Sequence, residues 1–450
     1  GLGDVYKRQD RHSTSGPARL VHFVKNLWYG RVMSPPARAL RVDIDRLLGR
    51  LAALAEIGAI EGTEGCARLA LTDEDKAGRD LVVTWMRDLG LSITIDGIGN
   101  VVGVLDGAVD GPPVMCGSHI DTVRTGGRYD GNLGVLAGLE VIETIVAAGL
   151  TPPRPLAVAF FTDEEGARFP PDMLGSLVYV GGMALEDALD IEGIDGAKVG
   201  PELERIGYAG AAPVPGLVPH AFVELHVEQG PVLEAEGITI GVVEGVQGIS
   251  WTEIVIVGQS AHAGTTPMRL RHDPAYCAAA ITTYVRDLTR LLGAEQVGTV
   301  GRIDVYPNLV NVVPARVVMT VDLRNTDDSV LREAEDRLTT FLEELAAAEG
   351  VRITTTSLAR FEPVDFDSAM VDLVEATATR LGHSTRRMPS GAGHDAQMLA
   401  RVCPTAMVFT PSVGGLSHNI GEFTEAADID AGANVLLQVV LDLLSGNDRD

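Results

Sequence analysis

Cysteine is scarce in this chain, and no apolar run is long enough to cross a membrane. The four cysteines, Cys66, Cys116, Cys277 and Cys403, lie far apart and include no CxxC pair. This spacing argues against a disulfide framework and a thiolate zinc site, and it favours a reducing cytoplasm. Hydrophobic residues make up 46% of the chain, but none of their runs reaches the ~18 residues of a membrane-spanning helix. We therefore expect a soluble, cytoplasmic protein without a membrane partner.

Positive charge is also in short supply. The chain has 36 Lys and Arg against 62 Asp and Glu, which gives a formal net charge of -26 and a pI near 4.7. Such a surface repels phosphate backbones and anionic lipids, so the composition argues against nucleic acid as a partner. A small molecule that is recognised in a local site fits this composition better.

The first 40 residues differ from the rest, because they are rich in Arg and Lys, poor in acids and without a clear period. A transit peptide is one interpretation of such a composition. The stretch "DVYKRQ" at residues 4–9 instead matches the translation of a common sequencing adapter, which favours an assembly artefact. We therefore treat residues 1–40 as an N-terminal extension and leave them out of the fold prediction.

Beyond residue 41 the hydrophobic pattern predicts alternating helices and strands. Residues 43–57 and 72–89 have helical periodicity, and strand-like runs follow at 92–95 and 101–105. The segments "PVMCGSH", "NLGVLAGLEVIETIVAAG" and "PLAVAFFT" then indicate a buried strand, a helix and a second buried strand. This βαβ order predicts an α/β sheet with helices on both faces.

A second pattern interrupts the first. From residue 247 the strands become amphipathic ("TEIVIVGQ", "VVMTVDLR"), and long helical patterns appear at 275–292 and 328–350. A helix, a strand and a final helix then resume the first pattern, at 370–381, 405–410 and 426–444. Because a chain of 450 residues exceeds what one core usually organises, we predict a divided catalytic domain with an inserted α+β domain. The predicted bounds are 41–246 and 362–450 for the catalytic domain and 247–361 for the insertion.

Histidines and carboxylates stand at the carboxyl ends of the predicted strands. They are His119, then Asp163, Glu164 and Glu165, then His226 and Glu228, and finally His418, with Asp130 just before a helix. Open α/β sheets bind ligands beyond these strand ends, so we expect the side chains to converge. Several imidazoles and carboxylates together form a ligand set for a divalent metal such as Zn, Mn, Ni or Co.

Each of these residues alone has an ordinary explanation. Asp130 can cap the following helix, a histidine at a strand end can be a hydrogen-bonded surface residue, and the pair Glu164 and Glu165 can form a solvated turn. Their joint occurrence at one predicted sheet edge is what favours a metal site.

Seven ordered motifs carry a resemblance to a known family. They are "GSHIDTVRTGGRYDGNLGVLAGLE", "FTDEEGARF", "ELHVEQGPVLE", "SAHAGTTPM", "NVVPARVVMTVDLRN", "SGAGHDA" and "GLSHN". Together they resemble the carbamoylase and allantoate-amidohydrolase branch of the M20 metallopeptidase superfamily, over nearly the whole chain beyond residue 40. The resemblance implies a mixed-sheet catalytic domain of the zinc-exopeptidase type, an inserted α+β lid and dimerisation domain, and a homodimer.

The resemblance also implies two divalent metal ions per subunit. Its metal ligands fall on His119, Asp130, Glu165, His226 and His418. Asp130 would bridge the two ions, Glu165 and His226 would each bind one metal and His418 the other. Asp121 would orient His119 from behind, as carboxylates often do for metal-bound histidines.

Glu164 is the predicted general base, which takes a proton from the attacking water and later passes it to the leaving nitrogen. The alternative is a charged turn residue beside a ligand. His262 resembles the histidine that stabilises the tetrahedral oxyanion in this family, and its alternative is a plain loop histidine. Because such insertions pair across a two-fold axis in this family, we expect His262 to reach the active site of the partner subunit.

The implied substrate is a small carbamoyl or ureido compound that carries a carboxylate. Arg324 is predicted to bind that carboxylate in a bidentate manner, helped by Gln229 and Asn311, with Gly391 and Ala392 shaping the pocket. As an alternative, Arg324 forms a surface ion pair with Asp322 or Asp327.

Members of this branch hydrolyse the ureido C–N bond of N-carbamoyl amino acids or of allantoate, with ammonia and carbon dioxide released in the carbamoyl case. His226, where peptidase relatives commonly carry a carboxylate, and the complete "AHAGTTPM" motif favour this branch over the peptidases. We expect an N-carbamoyl-L-amino acid hydrolase, followed by allantoate amidohydrolase, β-ureidopropionase and an aminoacylase-like peptidase as alternatives. A non-catalytic binding protein is disfavoured, because every ligand, Glu164 and Arg324 are present.

Overall fold

The computed structural model describes residues 39–293 and 295–446. The predicted N-terminal extension lies outside the described residues, except for residues 39 and 40. The described strands are β1 (Ser92–Ile95), β2 (Val101–Leu105), β3 (Val114–His119), β4 (Leu156–Phe161), β5 (Ala221–Val227), β6 (Ile240–Val246), β7 (Gly248–Val257), β8 (Ala261–His262), β9 (Val297–Tyr306), β10 (Val312–Val313), β11 (Arg316–Asn325), β12 (Arg352–Phe361), β13 (Val364–Asp365), β14 (Thr385–Ser390) and β15 (Thr405–Thr410). The described α-helices are α1 (Ile44–Ala55), α2 (Asp73–Asp88), α3 (Asn132–Ala147), α4 (Leu174–Tyr179), α5 (Leu185–Leu189), α6 (Val199–Ile206), α7 (Val232–Glu236), α8 (Pro274–Leu292), α9 (Asp328–Glu349), α10 (Ser368–Leu381), α11 (Asp395–Leu399) and α12 (Ala426–Leu444).

The larger sheet is mixed and has nine strands. Its order is β1-β2-β4-β3-β5-β15-β6-β13, and β14 also pairs with β6. The central strands β4, β3, β5 and β15 run parallel, whereas β1 and β2 on one side and β6 and β13 on the other add antiparallel pairs. The predicted βαβ unit is confirmed as β3, α3 and β4. The carboxyl ends of the four parallel strands therefore meet at one edge of the sheet.

Helices cover both faces of this sheet, as predicted. On β5, Leu225 packs against Gly432 of α12, where an added Cβ would lie 2.8 Å from Leu225 Cδ1. The neighbouring Glu224, whose side chain points to the opposite face, accepts a hydrogen bond from the backbone N–H of Ala396 in α11 at 2.9 Å. The central strands therefore have no solvent-facing side.

Burial on both faces explains why these strands are apolar along their whole length. Every residue of β3, β4, β5 and β15 is buried. Each Val, Leu or Phe side chain removed from water stabilises the fold by about 1.5–3 kcal/mol. None of the helices in the described residues is long and apolar enough to span a membrane.

The smaller sheet has its own hydrophobic core. Its order is β12-β7-β11-β9, with antiparallel pairing throughout. The buried side chains of β7 and β11 pack against α8 and α9, and the rings of Tyr284 and Phe341 stack between these two helices at 3.9 Å. This sheet and its helices fall within the predicted insertion at 247–361, whose role as a lid stays a prediction.

Candidate active site

Buried histidines and carboxylates converge at the carboxyl edge of the larger sheet. His119 is the last residue of β3, His226 lies near the end of β5, and Glu164 and Glu165 follow β4. The two histidines are each 1% exposed and Glu164 is 7% exposed. These residues are therefore neither surface histidines nor a solvated turn.

Asp130 lies at the centre of the cluster. Its Oδ1 atom is 3.6 Å from His119 Nε2 and 3.2 Å from His226 Nε2, and its Oδ2 atom is 3.6 Å from His418 Nε2. The helix-cap alternative for Asp130 is wrong, because Gly131 occupies the N-cap position of α3 and no side chain caps that helix. Each oxygen of Asp130 therefore faces different imidazoles.

Two groups of potential metal ligands share this carboxylate. One consists of His119, Asp130 and His226 and the other of Asp130, Glu165 and His418, with the ligand atoms of each group within 4.8 Å of one another. Glu165 Oε2 is 3.1 Å from His418 Nε2. Glu165 thus groups with His418, whose half-exposed side chain borders the solvent, while His119 and His226 are buried on the other side of Asp130.

Backbone carbonyls fix the tautomers of the two buried imidazoles. His119 Nδ1 is 2.9 Å from the carbonyl oxygen of Asp121, and His226 Nδ1 is 2.9 Å from that of Val227. With Nδ1 donating to these carbonyls, Nε2 is the atom of each ring that can coordinate a metal ion.

Asp121 supports the site in a different way from the predicted one. Its carboxylate Oδ1 is 3.9 Å from His119 Nδ1, too far for a hydrogen bond, so the backbone carbonyl makes the contact instead. The carboxylate accepts from the backbone N–H groups of Glu164 and Glu165, at 3.4 Å each. Asp121 therefore ties the loop after β4 to the loop after β3.

The loops of the site have backbone conformations that few residues adopt. Asp163, Gln229 and His418 have φ values of 57°, 58° and 52°, and a left-handed conformation costs a non-glycine residue about 1–2 kcal/mol. Gly131 has φ 64°, and an added Cβ there would lie 2.3 Å from His119 Nε2. The glycine of the "YDG" element is therefore required by the close approach of His119.

Neighbouring carboxylates raise the pKa of all three ligand histidines, His119, His226 and His418. Burial alone would lower the pKa of His119, but the charges of Glu164 and Asp130 outweigh it and hold that pKa well above its ordinary value. The hydrogen bond with Glu165 raises the pKa of His418 to about 9. The raised pKa values of these imidazoles therefore reflect an excess of negative charge around them.

The same excess acts on the carboxylates. Burial raises the pKa of Glu164 well above its ordinary value, against the opposing charge of His119. Burial likewise raises the pKa of Asp121 to about 6. Buried carboxylates at this density require compensating positive charge.

Divalent metal ions fit this donor set. The imidazole Nε2 atoms and carboxylate oxygens are ligands of Zn, Mn, Ni and Co. Positive charge between them would offset the crowded carboxylates, and the absence of a Cβ at Gly131 leaves His119 Nε2 accessible. The geometry groups His119 and His226 on one side of Asp130 and Glu165 and His418 on the other.

Gln229, a predicted substrate residue, lies beside the ligand cluster. Its Nε2 atom donates to Asp130 Oδ2 at 2.8 Å and to Ser417 Oγ at 3.1 Å. Ser417 also donates to the same Asp130 oxygen at 3.0 Å. Gln229 therefore helps to hold Asp130 in this structure.

Arg324 lies on β11 of the smaller sheet but contacts Gly391, which directly follows β14 of the larger sheet. It forms an ion pair with Asp322 at 2.9 Å and donates from Nη1 to the carbonyl oxygen of Gly391 at 2.5 Å. The alternative of an ion pair with Asp322 is thus present in the structure, whereas Asp327 caps α9 instead. The backbone N–H and carbonyl of Ala392 both bond to Ser390 Oγ, at 3.1 and 3.0 Å.

His262 and Asn311 lie together at the short strand pair β8 and β10. His262 is in β8, which pairs with β10, and the N–H of Ala263 donates to the Asn311 carbonyl at 2.9 Å. Both residues are exposed, and within the described chain no hydrogen bond or ion pair joins them to the ligand cluster. His262 Nδ1 accepts from two backbone N–H groups, so its Nε2 carries the proton.

Three buried residues of the site escaped the sequence analysis. The ring of His394 lies 4.5 Å from that of His226, and these two histidines and Glu224 form a third group of potential ligands. Glu422 accepts from the N–H of Asp130 at 3.0 Å. His394 belongs to the "SGAGHDA" motif, which was a usable signal, whereas no motif marks Glu422.

Glu228 shows the opposite outcome. It follows β5 at the same edge, but its carboxylate accepts from the N–H groups of Val232 and Leu233 at 2.7 and 2.9 Å. It therefore caps α7 and does not join the ligands.

Comparison with known proteins shows the family. Peptidase family M20/M25/M40 matches residues 115–442. An N-carbamoyl-L-amino-acid amidohydrolase of Rhizobium meliloti is 40% identical over 412 residues, which cover 91% of this chain and 99% of that protein. An allantoate amidohydrolase of Bacillus subtilis is 34% identical over 393 residues, 87% of this chain and 95% of that protein.

A solved structure agrees with this assignment. The crystal structure of a hydantoinase/carbamoylase family amidase from Burkholderia multivorans is 46% identical and matches with a TM-score of 0.86, covering 90% of this chain and 98% of that one. The chain therefore belongs to peptidase family M20/M25/M40, in its branch of hydantoinase/carbamoylase amidohydrolases.

Proposed function

We propose that this protein is a metal-dependent amidohydrolase that cleaves the ureido C–N bond of N-carbamoyl-L-amino acids to give amino acid, ammonia and carbon dioxide. The observation that carries the proposal is the pair of ligand groups sharing Asp130, with Glu164 Oε2 3.3 Å from His119 Nε2. Relatives named as N-carbamoyl-L-amino-acid amidohydrolases, 34–40% identical to this chain, support the substrate class.

Two divalent ions per subunit would be held by the two ligand groups. His119, Asp130 and His226 would hold one ion, and Asp130, Glu165 and His418 the other, with Zn, Mn, Ni or Co as candidates. Ions bound there supply Lewis acidity, which polarises the ureido carbonyl and offsets negative charge in the transition state.

Glu164 is the proposed general base. Its carboxylate takes a proton from the attacking water and passes it to the leaving nitrogen as the C–N bond breaks. The carboxylate of Asp121 accepts from the backbone N–H of Glu164 and so holds Glu164 in place. The backbone carbonyl of Asp121 accepts from His119 Nδ1 and fixes the tautomer of His119. The position of Glu164 beside His119, rather than in solvent, supports this role.

The substrate carboxylate is assigned to Arg324, because a guanidinium binds a carboxylate through two parallel N–H bonds. The loop at Gly391 and Ala392 lies against Arg324 and would shape the pocket. Gln229 and Asn311 would add hydrogen bonds. His262 would donate its Nε2 proton to the oxyanion of the tetrahedral state.

The inserted domain, with proposed bounds 247–361, would act as a lid and as the dimerisation surface of a homodimer. β9 and β12 are the outer strands of the smaller sheet, and most residues of β9 are exposed. An open strand edge is a template for pairing with a second copy. The buried, unpaired cysteines support a cytoplasmic location.

Allantoate amidohydrolase is the second candidate function, since a relative of that name is 34% identical over most of both chains. Allantoate, like N-carbamoyl amino acids, combines ureido groups with a carboxylate. β-Ureidopropionase and an aminoacylase-like peptidase rank below it.

Parallel hydrolysis assays test the proposal. N-carbamoyl-L-methionine, allantoate and N-carbamoyl-β-alanine are offered to the metal-loaded protein, and ammonia release is measured. We expect the highest kcat/KM for N-carbamoyl-L-methionine. A higher value for allantoate would assign the second candidate, and no release from any of the three would contradict the ureido-hydrolase proposal.

A further inference from the structure

Arg324, the proposed carboxylate receptor, is itself held by Asp322. The two residues lie two positions apart on β11, so their side chains project from the same face of the sheet. Both carboxylate oxygens of Asp322 are 3.1 Å from Arg324 Nε, and Oδ2 is also 2.9 Å from Nη2. Asp322 therefore binds the guanidinium along its Nε–Nη2 edge.

Two further contacts limit the movement of this guanidinium. Nη1 donates to the carbonyl oxygen of Gly391 at 2.5 Å. The ring of Trp251, which lies opposite Asp322 on β7, is 5.8 Å from the guanidinium carbon. Arg324 is thus fixed between the smaller sheet and a loop of the larger unit.

The loop that contains Gly391 is in turn held in place by the hydroxyl group of Ser390. Ser390 Oγ bonds to both backbone groups of Ala392 and lies 2.8 Å from His394 Nε2. The ring of His394 packs against that of His226. A continuous chain of contacts therefore runs from a proposed metal ligand to Arg324 and ends at Asp322.

The hydrogen bonds of Arg324 leave a specific pair of donors. An arginine has five N–H bonds, and those to Asp322 and Gly391 occupy three of them, on Nε, Nη2 and Nη1. Among the described residues no other group accepts from its side chain, so one N–H remains on each terminal nitrogen. The oxygens of a carboxylate can accept from the one N–H that remains on each of these two nitrogens.

We propose that Asp322 is a positioning residue, which orients Arg324 so that these two N–H bonds face the carboxylate of the substrate. The inference rests on the proposed function. It predicts that neutralising Asp322 changes the affinity for the substrate carboxylate in the direction opposite to that expected from charge alone. If charge alone mattered, neutralising Asp322 would remove a repulsive anion and tighten carboxylate binding, whereas loss of positioning weakens it.

The test compares Asp322→Asn and Asp322→Glu with wild type in the metal-loaded protein. The substrates are an N-carbamoyl-L-amino acid and its carboxamide analogue, which lacks the carboxylate. For Asp322→Asn we expect KM of the acid to rise at least about 10-fold, the loss typical of one hydrogen bond to a charged group. We expect kcat, and the kcat/KM of the carboxamide, to stay near wild type.

Asp322→Glu keeps the charge but shifts the guanidinium, so its KM should fall between those of wild type and Asp322→Asn. This variant carries the test if Asp322→Asn does not fold, as judged by its thermal midpoint. In an Arg324→Leu background, Asp322→Asn should raise KM no further, because its partner is already gone.

Asp304→Asn is the matched control. Arg302 and Asp304 on β9 repeat the same spacing, with Arg302 Nε 2.5 Å from Asp304 Oδ2, but neither residue is proposed to bind the substrate. KM should be unchanged in this variant, and an equal rise would attribute the effect to the sheet in general. An unchanged or lower KM in Asp322→Asn overturns the inference, whereas failure of wild type to hydrolyse any N-carbamoyl amino acid overturns the proposed function instead.

Discussion

The two sheets contribute to the site in different ways. At the edge of the larger sheet, the proposed ligands are in contact and mostly buried, and His119 and His226 are each 1% exposed. On the smaller unit, His262 and Asn311 are exposed, and Arg324 meets the larger unit through Gly391. The larger sheet therefore prearranges the proposed metal site within one core, whereas the positions of Arg324, Asn311 and His262 depend on where a second core lies.

Removal of metal should have the largest effect on turnover, and it should change only the site at the edge of the larger sheet. Treatment with a chelator is expected to abolish turnover, and added Mn, Co, Ni or Zn should restore it, because the ligand groups around Asp130 belong to that sheet. Metal binding to the folded state should also raise the thermal midpoint of unfolding. Full turnover in protein that elemental analysis shows to be metal-free would contradict the mechanism.

Glu164→Gln should have the next largest effect on turnover. It removes the proposed proton transfer but leaves the metal ligands at the same sheet edge intact. We expect both ions to be retained and kcat to fall by about 100- to 10,000-fold, the usual contribution of a general base. Kinetics together with metal analysis of the purified variant measure both effects.

Glu228→Gln is the control for this prediction, because Glu228 follows β5 at the same edge but caps α7. It should keep kcat and lose about 1 kcal/mol of stability, as typical for a lost cap. Equal losses of kcat in both variants would show that any change at this edge impairs turnover, and would remove the special role of Glu164.

The smallest expected effect is a partial recovery of activity in mixed dimers. It tests whether His262 acts in the active site of the partner subunit. Glu164→Gln and His262→Ala chains, each nearly inactive alone, are refolded together. If His262 acts in the partner's site, each mixed dimer has one site with both groups intact. Random pairing yields mixed dimers about half the time, so activity should recover to roughly a quarter of wild type.

Differently tagged chains confirm that mixed dimers have formed. If His262 serves its own chain, every site of the mixed dimer lacks one group and no recovery occurs. That result would refute the shared site and leave the metal chemistry of the larger sheet untouched.

The sequence predicted most of the regular elements because their hydrophobic periods are long. The predicted strand at 405–410 and helix at 426–444 coincide with β15 (Thr405–Thr410) and α12 (Ala426–Leu444). Residues 166–219 received no prediction, and they form the short helices α4, α5 and α6. Helices of five to eight residues complete too few turns for a period to be recognised.

The sequence by itself determined which residue types stand at the strand ends, and hence the chemistry of the edge. Strand direction and the rule that ligands bind beyond carboxyl ends were sufficient to bring His119, Glu164 and His226 together. Glu228 satisfied the same rule, but the structure turns it towards α7, because backbone N–H groups there lack other acceptors.

Only the tertiary structure decided how these groups face one another. The division of Asp130 between two sets of imidazoles, the tautomers set by backbone carbonyls and the orientation of Arg324 by Asp322 all depend on the positions of atoms that no residue pattern specifies. Glu422 bonds to the backbone of Asp130 across 292 positions. Such contacts arise because the core brings distant segments together, and a local sequence period carries no record of which segments those are.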